Sequence, residues 1–351
     1  MGHTLPVSLC MIVKNEEAFL GVALESVKSI LGLKDLVVAD TGSEDKTKEI
    51  AAINGARVVD FEWRDDFSAA RNFAADNAAN DWIFVLDADE EMMGAEKDEL
   101  AQFIKNPHAI GSLTRVEMLD KANSHESRLY NRRHNRYTGI IHEQITPLDG
   151  REKEIVQVPI LIAHHGYLPE FGRVEGKLER NEQLLMKELA ERPDDPYILY
   201  QLGKCCFCAR RDLPRACGYF GKALAQDIDI RLGYVYNMVE CYGYALINTG
   251  QFDKALVLMN EYARYYDNVP QFRFLSAHIN QNNGLLIEAV ECYESCIGAD
   301  TVDFSGITSF LSYYNIGVIL ECVGMTQDAV RMYENCGDYE PARKRRAELA
   351  P

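Results

Sequence analysis

Short apolar runs alternate with segments of helical periodicity over roughly the first quarter of the chain. The runs with the character of buried strands are Val7–Val13, Leu36–Ala39, Arg57–Asp60 and Trp82–Leu86. The segments with apolar residues at helical spacing are Glu17–Leu31, Glu44–Asn54 and Ser68–Ala79. Short strands joined by helices predict right-handed crossovers and a parallel α/β sheet of the Rossmann-like type, with ligands bound at the carboxyl ends of the strands.

The second half of the chain repeats a pattern of small residues. Gly243, Ala277 and Gly317 are each followed seven residues later by a glycine and five residues after that by an alanine. This spacing is typical of the helix-turn-helix unit of a tetratricopeptide repeat, in which small residues let two helices approach and the glycine turns the chain. A less regular unit begins near Gly203. The array either supports assembly or holds a polypeptide in a groove, and the sequence leaves both open.

Polar residues follow three of the predicted strands. Asp87 and Asp89 come directly after the run Trp82–Leu86, Asn15 follows the first strand, and Asp40 closes the second. Because the carboxyl ends of parallel strands meet at one edge of a sheet, we expect these side chains to converge. Carboxylate oxygens suit Mg²⁺ or Mn²⁺ held partly by substrate phosphates. The alternative for so short an Asp-x-Asp motif is a solvated acidic turn.

Four ordered motifs carry a resemblance to a known family. They are Met11–Glu17, Val37–Thr47, Asp66–Asn72 and Leu86–Asp89. Together they resemble the nucleotide-sugar half of family 2 glycosyltransferases of the GT-A fold, over roughly the first half of the chain. The subgroup that the chain resembles most carries tetratricopeptide-type repeats after the catalytic domain. It includes peptide and protein glycosyltransferases, among them the sublancin-type S-glycosyltransferases. The resemblance implies inverting transfer from a nucleotide diphosphate sugar, without naming the sugar or the acceptor.

The resemblance also implies which residues bind the donor. Asp40 is placed to accept a hydrogen bond from the uracil or the ribose, and Arg71 with Asn72 resembles the family's nucleoside and phosphate contacts. Backbone groups after Met11 would lie along the edge of the base. The other motif residues assigned to nucleotide-sugar binding are Asn15, Glu16, Asp87 and Ala88.

For the metal, Mn²⁺ or Mg²⁺, Asp89 is the expected direct ligand. Asp87 is expected to reach the ribose, or the metal through water, and Glu90 and Glu91 are expected at the surface. His164 ends another apolar strand, and a histidine at this place completes the metal shell in a number of GT-A enzymes, so it is the candidate third ligand. The alternative is a histidine that holds the linker in place.

Between the two halves lies a basic run, Arg128–Tyr137, followed by Gly139–Ile145. A guanidinium such as that of Arg132 near the β-phosphate would stabilise the departing nucleotide. By the family resemblance, Glu143 is the expected general base, and His142 is a candidate for the acceptor site. In a regular strand the two side chains would point to opposite faces, unless a strand end or bulge intervenes. The alternatives are an exposed edge strand and a surface His-Glu pair.

Composition and charge favour a cytoplasmic enzyme. The chain has 351 residues, of which 47% are hydrophobic, and this is enough for two domains with cores. The formal net charge of −17 argues against nucleic acid or an anionic membrane as the main partner. The start of the chain lacks the features of a signal peptide, and no apolar run is long enough for a membrane span. Nine of the ten cysteines lie between Cys205 and Cys336, where buried, reduced thiols are favoured over zinc ligands.

These observations predict a GT-A domain over residues 1–167, a helical connector over 168–195 and tetratricopeptide-like repeats over 196–351. The predicted function is metal-dependent, inverting transfer of a hexose or N-acetylhexosamine from a UDP-sugar to a peptide or protein side chain. Two alternatives remain open: transfer to a lipid-linked or cell-surface glycan, and a binding scaffold whose transferase domain is inactive. A homodimer formed through the repeats is also possible, whereas nucleic-acid binding and integral membrane association are not expected.

Overall fold

The chain forms two compact units, Met1–Glu188 and Leu189–Pro351. The computed structural model describes residues 5–118, 123–165, 176–299 and 306–349. The predicted domain boundary at residue 167 lies outside the described residues, so it stays a prediction. Among the described helices, none is both long enough and apolar enough to cross a bilayer.

An eight-stranded sheet forms the centre of the first unit, in the order β3-β2-β1-β4-β7-β6-β10-β5, and β8 pairs separately with β9. The strands are β1 (Val7–Val13), β2 (Asp35–Asp40), β3 (Arg57–Asp60), β4 (Trp82–Val85), β5 (Glu90–Ala95), β6 (Ile110–Glu117), β7 (Asn123–Asn131), β8 (Asn135–Thr138), β9 (Gln144–Pro147) and β10 (Ile155–His164). The helices of this part are α1 (Leu20–Leu31), α2 (Thr47–Ile53), α3 (Phe67–Asp76), α4 (Lys97–Phe103) and α5 (Lys177–Glu191).

The four predicted strands and their parallel arrangement are confirmed, but further strands make the sheet as a whole mixed. Strands β1 to β4 are parallel to one another, whereas β7 runs antiparallel to both β4 and β6. At the other side, β10 is parallel to β6 and antiparallel to β5. The sheet is mixed because β7 returns directly beside β6 and inserts between it and β4, without a crossover helix.

Helices α1 and α2 begin three residues later than predicted, because the two loops before them bond to each other. The backbone N–H of Asn15 donates to Ser43 Oγ at 2.9 Å, and Asn15 Oδ1 accepts from the N–H of Glu44 at 2.9 Å. The N–H of Glu16 donates to Thr47 Oγ1 at 2.7 Å. These groups are therefore satisfied by the neighbouring loop rather than by a helical turn.

The alternation of side chains places one apolar layer on each face of the sheet. Leu9 and Met11 lie in the layer that packs against α1, whereas Cys10 faces Ala74 of α3 and Tyr130 of β7. All five residues are 2% exposed or less. Both faces are covered by helices, so polar ligands have access to this sheet only at its edges.

The second unit consists of helical hairpins. After α5, its helices are α6 (Pro196–Lys204), α7 (Leu213–Leu224), α8 (Gly233–Asn248), α9 (Phe252–Tyr266), α10 (Pro270–Asn282), α11 (Leu286–Cys296), α12 (Phe310–Cys322), α13 (Thr326–Glu334) and α14 (Glu340–Leu349). The repeat glycines are at the predicted places: Gly250 turns the chain between α8 and α9 with φ of 70°, and Gly317 lies where α12 meets Tyr333 of α13. The predicted α/β unit followed by tetratricopeptide-like helices is confirmed.

All ten cysteines carry free thiols, and six of them are buried. The Cys205–Arg210 segment forms a π-helical turn after α6. Within the described parts of the chain, no group of three or more His, Cys, Asp or Glu side chains is arranged to hold a metal ion. Two tyrosines of α9, Tyr262 and Tyr266, are buried in the core of the repeats.

Candidate active site

A cavity of about 640 Å³ lies at the carboxyl edge of β1, β2, β4 and β10. It is lined by Ile12, Val13, Lys14, Asn15, Glu16, Thr41, Trp63, Phe67, Arg71, Asp87, Ala88, Asp89, His164 and Arg180. The strands deliver these residues to one edge because β6 and β10 run in the same direction as β4, so that His164, the last residue of β10, lies on the side where β4 ends. Seven of the residues assigned from the sequence thus meet in one cavity: Asn15, Glu16, Arg71, Asp87, Ala88, Asp89 and His164.

Asp87 is held by two arginines. Its Oδ1 accepts from Arg71 Nη2 and its Oδ2 accepts from Arg128 Nη2, both at 2.9 Å. Burial opposes ionisation, but the charges of Arg128 and Arg71 hold the pKa of Asp87 well below its usual range. Asp87 thus fixes the two guanidinium groups at the floor of the cavity. It also lines the cavity, so the expectation that it reaches the ribose, or the metal through water, stays a prediction.

Glu90 was expected at the surface, and this is wrong. It is 1% exposed, and its Oε2 accepts from the backbone N–H of Asp87 at 2.9 Å. Its Oε1 lies 3.4 Å from Arg128 Nη2. Burial raises the pKa of Glu90, in spite of the opposing charge of Arg128. Glu90 therefore fixes the turn after β4 through its bond to the backbone of Asp87, and Asp89 in the same turn lines the cavity.

Asp89 and His164 form the pair that could hold a cation. Asp89 Oδ2 lies 3.5 Å from His164 Nε2, while His164 Nδ1 contacts Glu117 Oε2 at 2.7 Å. Burial disfavours the imidazolium, but the hydrogen bonds to Asp89 and Glu117 raise the pKa of His164 to about 9. Glu117 fixes the orientation of the ring, as a carboxylate behind a metal-bound histidine does. A cation with bonds of about 2.1 Å could join Asp89 and His164, with the remaining positions taken by water and phosphate oxygens.

The loop between β8 and β9 places Glu143 beside Arg71. The loop bends at Gly139, with φ of 93°, and at His142, with φ of 50°, so the alternation expected of a regular strand does not apply. Glu143 Oε1 accepts from Arg71 Nε at 2.5 Å, and its side chain is 10% exposed. His142 is exposed. The loop is fixed to α3, since the backbone N–H of Phe67 donates to the carbonyl oxygen of Ile140 at 2.9 Å.

Three residues assigned to the donor have structural roles and do not line the cavity. Asn72 holds β8, because its amide oxygen accepts from the N–H of Tyr137 and its amide nitrogen donates to the carbonyl of Tyr137. Met11 is fully buried in the core of the sheet, one residue before the cavity lining begins. Asp40 is 1% exposed, and its Oδ1 accepts from the backbone N–H groups of Gly42 and Ser43 at 2.9 Å. Asp40 thus shapes the loop that carries Thr41 to the cavity, and the backbone after Met11 joins the cavity lining at Ile12, while the part of these residues in donor binding stays a prediction.

Arg132 lies at the opposite end of the strands from the cavity. Because β7 runs antiparallel to β4, Asn131 pairs with Trp82 at the start of β4, and Arg132 lies beyond it. Arg132 Nη1 donates to the carbonyl oxygen of Ala75 at 2.6 Å, and its Nε lies 3.5 Å from Asp81. The expectation that Arg132 meets the β-phosphate is wrong.

The sequence reasoning missed several residues of the site. Arg128 belongs to the basic run, but only the strand direction shows that it lies beside the end of β4, one residue before the Leu129–Phe84 pair. A charged residue directly before the apolar pair Leu129-Tyr130 was the available signal for a buried guanidinium. Trp63 and Phe67 line one side of the cavity, with ring centroids 4.9 Å apart; Phe67 belongs to the motif Asp66–Asn72 but was not assigned to the site, and Trp63 gave no signal.

Known proteins share parts of this architecture. Residues 8–152 match the family described as Glycosyl transferase family 2. A TPR repeat-containing protein from Synechococcus elongatus is 37% identical over 208 residues, 56% of this chain and 51% of that protein. The SPbeta prophage-derived glycosyltransferase SunS of Bacillus subtilis is 26% identical over 211 residues, 58% of this chain and 50% of that protein. The chain thus spans about half the length of these two relatives. The crystal structure of YrrB, a TPR protein, matches 49% of this chain and 82% of its own with 21% identity and a TM-score of 0.42.

The mixed sheet, with an acidic turn after β4 and a cavity at its carboxyl edge, has the Rossmann-like GT-A fold, and a helical region like that of TPR proteins follows it. The part of the chain that forms this sheet, residues 8–152, is similar to glycosyl transferase family 2.

Proposed function

We propose that the chain is a metal-dependent, inverting glycosyltransferase. It would move a hexose or N-acetylhexosamine from a UDP-sugar to a peptide or protein side chain. The observation that carries the proposal is the cavity that contains Asp89, His164 and Arg71 at the carboxyl edge of a family 2 domain. Its volume of about 640 Å³ lies within the range of ligand cavities, roughly 300 to 1,000 Å³.

Asp89 and His164 are the residues proposed to hold Mn²⁺ or Mg²⁺. The donor set fits such an ion, because a carboxylate oxygen and an imidazole nitrogen lie 3.5 Å apart and Glu117 supports the ring from behind. When bound, the cation would neutralise negative charge on the donor's diphosphate. A two-residue site is expected for an ion that takes its other ligands from phosphate and water.

Glu143 is the proposed general base. In a single displacement, a new bond forms between the acceptor atom and the anomeric carbon. The bond from that carbon to the β-phosphate oxygen breaks, and its electron pair stays on the phosphate. The acceptor proton passes to Glu143. Arg71 orients Glu143 through the bond between its Nε and Oε1, and Asp87 in turn fixes Arg71. Asp87 thus holds Arg71, and Arg71 holds Glu143, before any substrate binds.

The proposal of a peptide or protein acceptor rests on the resemblance of the chain to the subgroup that glycosylates polypeptides. The helical hairpins of the second unit support it, because stacked repeats form extended surfaces of the kind that bind polypeptides. The side chain that accepts the sugar, whether through oxygen, sulfur or nitrogen, is left open.

The direct test is the release of UDP from a panel of UDP- and GDP-sugars in the presence of Mn²⁺, with and without cell lysate as a source of acceptor. The proposal expects release from at least one UDP-sugar, stimulated by the lysate and abolished by excess chelator. Release that is unchanged by the chelator would contradict the metal role. A chain that binds and hydrolyses none of the sugars would support the alternative of a binding scaffold.

A further inference from the structure

The cavity contains four side chains that can carry positive charge: Lys14, Arg71, His164 and Arg180. Two of them are already neutralised within the protein. Arg71 forms ion pairs with two carboxylates, those of Asp87 and Glu143. His164 likewise contacts two, those of Asp89 and Glu117. Apart from the proposed cation, a diphosphate that enters this cavity would therefore meet unneutralised positive charge only at Lys14 and Arg180, among the side chains that line it.

Arg180 differs from the other cations in its surroundings. Its guanidinium carbon lies 5.3 Å from the centroid of the Phe67 ring. Among the described residues, the guanidinium group donates hydrogen bonds only to Asn181 Oδ1, at 3.2 Å from Nη2, and no carboxylate lies within ion-pair distance. Stacking on an aromatic ring holds the guanidinium plane while its N–H groups stay available at the edge.

Phe67 is itself rigidly placed. It is the first residue of α3, whose N-cap Asp66 accepts from the backbone N–H of Ala69 at 2.8 Å. The backbone N–H of Phe67 donates to Ile140 O in the β8–β9 loop, and its ring meets Trp63 edge to face. The platform under Arg180 is therefore fixed by a helix cap, by a loop and by a second aromatic ring. Such a platform reduces the conformational entropy that Arg180 loses on binding an anion.

We propose that Arg180 binds the β-phosphate of the donor and of the departing nucleoside diphosphate. This inference rests on the proposed function and replaces the guanidinium that the sequence had assigned to Arg132. The planar fork of an arginine matches two phosphate oxygens, whereas the ammonium of Lys14 is a single point charge. When the bond between the anomeric carbon and the phosphate oxygen breaks, the electron pair stays on the phosphate and Arg180 stabilises that charge. No proton is transferred to or from the arginine.

The test compares ligands that differ by one phosphate. Calorimetry would measure the dissociation constants of UDP, UMP and uridine, with Mn²⁺ present, for the full-length wild type and for Arg180→Ala. A charge-assisted contact to the β-phosphate predicts that UDP binds roughly 10- to 100-fold more weakly to the variant. UMP and uridine, which lack that phosphate, should change by less than about threefold. Arg180→Lys should fall between the two, because it keeps the charge and loses the fork.

Arg64→Ala is the matched control. Arg64 also stacks on a phenylalanine ring, with its guanidinium carbon 5.9 Å from the centroid of Phe61, but it does not line the cavity. Its removal should leave all three dissociation constants unchanged.

Three other results would overturn the inference. Unchanged UDP affinity in Arg180→Ala, with wild-type binding intact, would refute the role of Arg180 and leave the proposed function standing. A loss of UDP affinity in Lys14→Ala alone would assign the phosphate contact to Lys14. A wild type that binds no UDP at all would contradict the proposed function itself, and the inference with it.

Discussion

At the scale of single residues, the two aspartates of the Asp-x-Asp motif have different tasks. Asp87 accepts hydrogen bonds from Arg71 and Arg128, so it neutralises two guanidinium groups that are less than one tenth exposed. Asp89 faces the cavity, and its nearest charged partner is His164 at 3.5 Å. Asp87 therefore holds the two arginines of the site in place, and Asp89 is available to contact a ligand.

This division predicts opposite outcomes for two conservative variants. Asp87→Asn should destabilise the first unit by roughly 3 kcal/mol, because it leaves two buried guanidinium groups without their shared carboxylate. Asp89→Asn should cost about 1 kcal/mol or less, because it removes only a partly exposed pair with the histidine. Urea unfolding followed by circular dichroism measures both. Equal stability losses would show that the two residues are not specialised in this way.

The ion pairs of Asp87 with Arg71 and Arg128 also predict how the stability of the protein depends on pH. The pKa of Asp87 is lowered in the folded chain, so its contribution to stability is fully present above its unfolded value of about 3.9. That contribution is lost as the pH falls below this value towards the folded pKa, because a protonated Asp87 resembles asparagine. The stability difference between wild type and Asp87→Asn should therefore be constant from about pH 5 to 7 and shrink below about pH 4. A stability difference that grows on acidification would contradict a stabilising role of these ion pairs.

Glu143 can be separated from donor binding by kinetics. Glu143→Gln keeps the shape of the side chain and an oxygen for Arg71, but it cannot take a proton at neutral pH. We expect UDP-sugar affinity within a few-fold of the wild type and a transfer rate lower by about 10² or more, the usual scale for loss of a general base. Calorimetry and single-turnover transfer give the two numbers. Lost donor affinity with unchanged turnover at saturation would make Glu143 a binding residue.

At the scale of elements, strand direction decides which polar residues reach the site. Both Arg128 and Arg132 belong to β7 or its end, but only Arg128 lies near the end of β4, because β7 runs antiparallel to it. The sequence predicted the four parallel strands and the convergence of Asp87, Asp89 and Asn15, since these follow from local periodicity. It could not predict the direction of β7, because that depends on pairing between segments far apart in the chain.

For the helical repeats, in contrast, the sequence alone predicted where the helices and turns lie. Glycines and alanines recur where helices must approach closely, and these constraints are local enough to be read from their spacing. The sequence pattern could not predict the side-chain network around Arg71 or the loop from Gly139 to Glu143. Its bends at Gly139 and His142 break the two-residue alternation on which any strand prediction depends.

A pair of glycine substitutions tests the packing of these repeats. A Cβ at residue 317 would lie 2.5 Å from the ring of Tyr333, so Gly317→Ala should destabilise the second unit by roughly 1 to 3 kcal/mol. Gly218 is the matched control: it is also helical, but a Cβ there meets nothing within 4 Å. Gly218→Ala should be neutral or stabilise by about 0.5 to 1 kcal/mol, because alanine favours the helix. Thermal melts that show the reverse order would refute the close approach at Gly317.

At the scale of the whole molecule, the residues proposed for catalysis lie within the first unit, from Asn15 to Arg180. The second unit contributes none of the described cavity residues. Under the proposed function, the first unit would bind the nucleotide sugar and the second would select the acceptor.

Deleting the chain from Tyr234 onward tests that division. If the repeats hold the acceptor, the shortened protein should still hydrolyse UDP-sugar, which requires only nucleotide, metal and water, and should lose transfer to protein. Size-exclusion chromatography is the control for a folded, monodisperse product. A shortened protein that glycosylates its acceptor at the wild-type rate would leave the repeats as an assembly surface.

The central claim is that this edge of the sheet is a metal-dependent site for a UDP-sugar. The most direct measurement is UDP release from UDP-glucose and UDP-N-acetylglucosamine by the full-length wild type and Asp89→Ala, each titrated with Mn²⁺. We expect Mn²⁺-dependent release by the wild type from at least one donor, and none by Asp89→Ala, with both proteins unfolding at similar temperatures. Equal release by the two proteins, or wild-type release that persists in excess chelator, would contradict the account.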